Sequence, residues 1–246
     1  MPVAAALESY YDRYYQSTTG VAQVTMDDPR RLARRICRHA SRFATGEVRR
    51  ILDFGGGDGS ISFAVAEGLL EGTRRRAEVT IIDYGDRLAK PPACVRAIRV
   101  EELDAASGPY DLVIASAVLE HLPDPTEALN ALSLLMGDGA LLYVRTPFVA
   151  PMLELAQRVH VHADFTFPGH LHDLGEAFWN RLLEWWTPPV DALLRVASNP
   201  SPVETNLRKH PVRTVAAAVL KAPYRALGSR WVLVGGWEAA FVRYET

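Results

Sequence analysis

The chain has 246 residues, 48% hydrophobic and 23% charged, with a formal net charge of -2. That is enough apolar material for one α/β domain with a real core, and the near-neutral charge speaks against a nucleic-acid partner, whose phosphates demand a basic surface. Cys37 and Cys94 are the only cysteines, no stretch of about 18 apolar residues exists to span a membrane, and MPVAAALESYYDRYY lacks the layout of a secretory signal, so a cytoplasmic protein without a membrane partner is expected.

Residues 1–25 are tyrosine-rich. Tyr11 and Tyr15 are spaced to share a helical face, which suits either packing on the body or a flap over a ligand. DDPRRLARRICRHASRF, 27–43, opens with Asp and Pro as a helix start should, and Leu32, Ile36, Ala40 and Phe43 form its apolar stripe. A strand running to Asp53 follows, then a glycine-dense turn and a helix through Ala64 and Leu69. EVTIIDYGD, 78–86, reads as a second strand and CVRAIRV, 94–100, as a short third. Residues 110–132 read as strand, turn and helix, and GDGALLYVRTP, 137–147, as a glycine turn and a fifth strand. Continuously apolar strands alternating with helices predict an α/β fold with a mainly parallel sheet covered on both faces.

Beyond Pro147 the rhythm is less regular. Short helices are predicted over 152–159 and 175–186, and a helix broken at Pro223 over 214–227. Residues 188–211 give no clear element. WVLVGGWEAAFVRYE, 231–245, reads as two strands joined at Gly235-Gly236 or as one bulged strand. The expected organisation is a single domain, with a helical cap over 1–44, a core over 45–150, a lid with insertions over 151–229 and terminal strands over 230–246.

ILDFGGGDGS, 51–60, carries the most specific signal. Its skeleton is Asp53-x-Gly55-x-Gly57-x-Gly59, and glycines there let the backbone turn sharply and a ligand sit against main-chain atoms. The dinucleotide fingerprint G-x-G-x-x-G is absent, as is the G-K-[ST] of a phosphate loop. A carboxylate before the first glycine would repel a phosphate and favour a ligand bearing positive charge. Asp83 closes the second strand, where a carboxylate can accept both hydroxyls of a ribose. Tyr84 beside it is placed to pack on an adenine face.

Together, LDFGGGDG, IIDYGD, YDLVIASAVLEHLPDP and GALLYVRTP resemble the class I S-adenosylmethionine-dependent methyltransferases, strongly over roughly 45–150. The resemblance implies a Rossmann-like three-layer sandwich with a seven-stranded, mostly parallel sheet whose last strand is antiparallel, plus helical lid elements. It implies S-adenosyl-L-methionine as cofactor, with Asp53, Gly55, Gly57 and Gly59 under its methionine part and Asp83 on its ribose. Ala115 and Ser116 would sit beside the sulfonium, and one acid of Glu101, Glu102 or Asp104 near the adenine amino group.

Methyl transfer to a hydroxyl benefits from a general base, and histidine suits that task near pH 7. His121 follows the fourth strand. HVHADFTFPGHLHDLG, 160–175, follows the fifth, where a connection would wall the acceptor site. Within it, His162 and His170 are the candidate bases, while Asp173 or His172 is the candidate cap of the helix beginning near Leu174. The alternating histidines also suit a metal, but no recognised zinc spacing is present and no metal is expected. Phe165, Phe167, Phe178, Trp179, Trp185 and Trp186 are candidates for core and for an apolar acceptor pocket. The expected function is methyl transfer from S-adenosyl-L-methionine to a small-molecule acceptor, first at a hydroxyl oxygen and next at nitrogen. A non-catalytic cofactor-binding protein and an NAD-dependent oxidoreductase are the alternatives, and a homodimer stays open.

Overall fold

A computed structural model describes residues 28–85, 87–158, 160, 170–203 and 205–244. The elements in chain order are α1 (Pro29–Phe43), β1 (Arg50–Phe54), α2 (Ser60–Leu69), β2 (Ala77–Ile82), β3 (Val95–Val100), β4 (Tyr110–Ser116) and α3 (Pro125–Leu134). They continue with β5 (Met136–Phe148), α4 (Ala150–Arg158), α5 (Glu176–Trp185), β6 (Leu193–Pro200), α6 (Pro211–Lys221), α7 (Tyr224–Leu227) and β7 (Gly235–Arg243). The seven strands form one sheet in the order β3-β2-β1-β4-β5-β7-β6. β1 to β5 pair in parallel, and β7 runs antiparallel to both neighbours. The expected seven-stranded sheet with an antiparallel last strand is therefore present.

Side-chain alternation divides the core into two layers. Ile51, Leu112, Ile114 and Tyr143 face one way and pack with Leu32, Ile36 and Ala40 of α1 and Phe63, Val65 and Ala66 of α2. Leu52, Val113, Ala115 and Val144 face the other way and pack with Leu129 and Leu132 of α3 and Trp179 and Leu182 of α5. Each layer buries a helical stripe against a sheet face, which is how an amphipathic helix of this length becomes stable. A polar anchor also ties α1 to the sheet. Glu238 of β7, almost fully buried, accepts from Arg35 at 2.6 Å and from the Tyr143 hydroxyl at 2.7 Å. Burial pushes the Glu238 carboxyl up, but His39, Arg35 and Tyr143 together hold it below the usual range.

One expectation about the terminal strands is corrected, and one unassigned segment is resolved. Trp231–Val234 is not a strand, and one strand occupies Gly235–Arg243. The missing partner is β6, inside the segment that gave no clear element. It is the sheet's edge strand, half-exposed along most of its length, so it carries no clean apolar alternation.

Candidate functional site

The chain runs outward from β1 through β2 to β3, then crosses back to place β4 on the other side of β1. That reversal is the switch point at which open α/β sheets bind ligands, beyond the strands' carboxyl ends. The glycine loop leaves β1 at this point. Gly55, Gly57 and Gly59 all have positive φ, at 70, 56 and 77°, a region costly for other residues. A Cβ on Gly55 would stand 2.6 Å from the Cβ of Val118, so the turn after β4 packs directly on the loop.

Asp53 is 2% exposed, and its Oδ2 has no hydrogen-bond partner. A Cβ on Gly56 would lie 2.6 Å from its Cγ, so the loop backbone closes over this carboxyl. Burial pushes the Asp53 carboxyl up to about 7, opposed by the Ser62 hydroxyl and reinforced by Asp83 and Asp58. A cation seated on the loop would stabilise the ionised form. Asp83 stands just past the end of β2. Its Oδ2 accepts the Gly57 N–H and its Oδ1 accepts the Gly85 N–H, both at 2.8 Å. Each oxygen keeps a second lone pair for a ligand hydroxyl. Tyr84 is 79% exposed beside it, available to cover a flat group.

The remaining sequence candidates divide. Ser116, at the end of β4, is buried and accepts the Arg145 Nε–H at 2.9 Å. Ala115 is fully buried, with its side chain in the core layer of α3 and α5. Asp104 is exposed in a single 3-10 turn, Leu103–Ala105, and Glu101 and Glu102 are also exposed. Trp179 and Trp186 are core residues, anchored by indole hydrogen bonds to Thr146 and to Asn130. Tyr11, Tyr15, His162, Phe165 and Phe167 lie outside the described residues.

His121 and His170 come together from distant parts of the chain. His121 ends the 3-10 turn Leu119–His121, three residues beyond Val118. His170 arrives on the connection after β5, which docks through the Leu171 and His172 N–H groups on the Glu120 carbonyl, at 2.7 and 3.2 Å. The two imidazoles meet edge to face with centroids 4.7 Å apart. Glu120 is 1% exposed, and its carboxylate lies 3.9 Å from the His121 Nε2. Donor atoms of Glu120, His121 and His170 all lie within 4.8 Å of one another, so the three could hold a metal ion. Burial, with His121 adding to it, lowers the His170 pKa to about 4. His170 is therefore neutral at pH 7, with a lone pair to offer.

Asp173 caps a different helix from the expected one. Its carboxylate accepts the N–H groups of Val149 and Ala150, at 2.7 and 3.0 Å, at the start of α4 rather than α5. His172 bonds the Pro123 carbonyl at 3.3 Å instead of capping. The connection after β5 is thus fastened both to the turn after β4 and to the start of α4. Sequence reasoning missed Glu120, Gly56 and Arg145. The lone charge in LLYVRTP marked Arg145, and the middle position of three consecutive glycines marked Gly56.

The Asp53 environment yields a prediction. A carboxyl whose folded pKa is raised stays protonated while the unfolded chain ionises, so stability is lost as pH rises from about 4 to about 7. Asp53→Asn removes that loss and is expected to stabilise the protein at pH 8 by about 2 kcal/mol in denaturant titrations. Equal or lower stability in the variant would show that Asp53 is ionised and internally satisfied.

A family model described as a methyltransferase domain matches residues 28–191. The ubiquinone biosynthesis O-methyltransferase of Aeromonas salmonicida (strain A449) is 30% identical over 153 residues, covering 52% of this chain and 61% of that one. Its counterpart from Xanthomonas oryzae pv. oryzae (strain PXO99A) is 30% identical over 171 residues, covering 59% and 66%. The chain thus spans less than two thirds of these relatives' lengths. Among solved structures, the plantazolicin methyltransferase BpumL in complex with SAH superposes with a TM-score of 0.57 at 14% identity, over 98% of this chain and 90% of that one. The (4+2)-cyclase SpnF superposes with a TM-score of 0.59 at 16% identity, over 100% and 98%. At such identities these likenesses establish the fold.

Proposed function

The chain belongs to the class I S-adenosylmethionine-dependent methyltransferases, and from that premise we propose that it methylates a small organic acceptor at a hydroxyl oxygen. The observation that carries this reading is the buried Asp53 carboxyl under the glycine loop, with Oδ2 unpartnered. S-adenosylmethionine supplies an electrophilic methyl group when bound, together with an amino cation and a ribose diol. Those groups fit the residues present: Asp53 beneath the loop complements the cation, and Asp83 offers its remaining lone pairs to the diol. Gly55, Gly57 and Gly59 let both come close.

Oxygen is favoured over nitrogen because two imidazoles and a carboxylate converge beside the switch point. A neutral imidazole can take the proton that an attacking hydroxyl must lose. An amine acceptor needs only placement, so nitrogen methylation is the second reading. The O-methyltransferase relatives support oxygen. SpnF, a cyclase on the same fold, shows why the fold alone does not decide the chemistry. Acidic residues at the adenine end, Asp104 or its neighbours, and Ser116 near the sulfonium remain part of the proposal, as do Tyr11 and Tyr15 as a flap. No helix among the described residues is long and apolar enough to cross a membrane. A cytoplasmic site of action agrees with the free thiols Cys37 and Cys94.

Calorimetry with S-adenosylmethionine, S-adenosylhomocysteine and NAD tests the reading. Binding of the first two and not the third is expected, and affinity for S-adenosylmethionine should weaken below pH 7 as Asp53 takes up a proton. Asp53→Asn should bind about tenfold more weakly at pH 8, with a flatter pH dependence. Tight NAD binding with no response to the sulfonium would overturn the assignment.

A further inference from the structure

Helix α6 is inside out. Two of its polar residues face the body: Thr214 is buried and bonds Thr205 at 2.8 Å, and the Lys221 Nζ reaches the Ser201 carbonyl at 2.7 Å. Its apolar residues face solvent, with Val212 81%, Val219 65% and Val215 53% exposed. At 100° per residue these three valines fall within one narrow arc, flanked by exposed Leu220 on the same side. Exposed Leu207, Leu227 and Val232 extend the surface on either side of the helix in sequence. A soluble helix ordinarily shows the opposite arrangement.

The charge along this stretch of sequence is one-sided. From Thr205 to Trp237 the sequence contains no Asp or Glu and six Lys or Arg: Arg208, Lys209, Arg213, Lys221, Arg225 and Arg230. Lys221 is engaged inward, whereas Arg208, Lys209, Arg213, Arg225 and Arg230 are exposed. Glu204 and Glu238 bound this run in sequence, and Glu176 receives the Tyr224 and Ser229 hydroxyls. An apolar helical face among cations, with no acid interleaved, is the chemistry of a helix lying in the headgroup layer of an anionic bilayer.

We propose that α6 and its flanking residues dock on an anionic phospholipid surface. A second copy of the chain would bring like charges together, and nucleic acid would leave the valines without a partner. Topology adds a consequence. β6 ends and β7 begins at the same edge of the sheet as the glycine loop, because β6 is parallel to β1–β5 and β7 opposes it. The insertion that carries α6 leaves from that edge, so docking presents the switch-point face toward the membrane. No spanning segment is required, and the inference is independent of what is methylated.

Sedimentation of the full chain with vesicles tests the proposal. Binding to phosphatidylcholine vesicles containing phosphatidylglycerol should exceed binding to phosphatidylcholine alone by about tenfold or more and weaken with salt. The triple variant Val212→Ser, Val215→Ser, Val219→Ser should lose the partitioning with its melting curve intact. A charge reversal, Arg208→Glu, Lys209→Glu, Arg213→Glu, alters only exposed side chains and should lose it as well. Indifference to the anionic lipid, or unchanged binding in both variants, overturns the proposal. So does a dimer in light scattering that the valine variant converts to monomer, since a second copy would then cover the face.

Discussion

Asp83→Ala is expected to lower affinity for S-adenosylmethionine about 100-fold, with little change in the melting temperature. The side chain does two jobs at one place. It accepts the Gly57 and Gly85 N–H groups, which sets the glycine loop against the end of β2. In the proposed reading its outer lone pairs would meet a ribose diol. Hydrogen bonds to a charged group contribute about 1.5–3 kcal/mol each, and losing the ligand's share of them gives about two decades of affinity. The group is only partly buried, so its removal opens no large cavity. Asp83→Asn retains one acceptor oxygen and should fall between the two, whereas a uniform loss of folding in both variants would move Asp83 from binding to loop architecture. Calorimetry alongside circular dichroism separates these outcomes, and an affinity within threefold of the parent chain would sink the ribose assignment.

The parts of this site that were legible in the sequence are those written in local backbone chemistry. Glycines at positive φ, a carboxylate at the end of an apolar strand and a proline at the start of α1 are local requirements, so they announce themselves in order. What the sequence hid depends on tertiary contact. Asp173 sits beside α5 in sequence yet caps α4, because the chain doubles back and brings Val149 to its carboxylate. Glu120 looks like one more surface acid in LEHLP, but the docked connection after β5 buries it. β6 escaped because an edge strand with one hydrogen-bonded neighbour needs no apolar face on every second residue. The WVLV run drew the strand assignment instead, although Val234 packs in the core without pairing. Ala115 was expected beside the sulfonium by position along β4; its methyl group packs in the core, so only its backbone is available to that proposed contact.

The same pleat and docking give the histidine pair its expected role. Replacing both His121 and His170 with Ala should lower kcat about 1000-fold while cofactor affinity changes little, since positioned bases contribute about two to four decades. The single variants should differ. His170, neutral down to about pH 4, is a weak base, and its expected contribution is to hold the His121 ring edge. His121 faces the Glu120 carboxylate, which can stabilise an imidazolium as it forms. His121→Ala should therefore cost more than His170→Ala, by about tenfold. The depressed pKa also predicts stability. As pH falls from about 6.5 toward 4, the unfolded chain protonates this imidazole and the folded one resists, so stability drops across that window. His170→Gln should flatten the drop, and an unchanged pH–stability curve would show that His170 is not held neutral. A stoichiometric metal in the purified protein, lost in both single variants, would replace the base with a Glu120–His121–His170 centre acting on the acceptor oxygen. Full turnover in the double variant would remove both and leave methyl transfer to placement alone, the outcome expected for an amine acceptor.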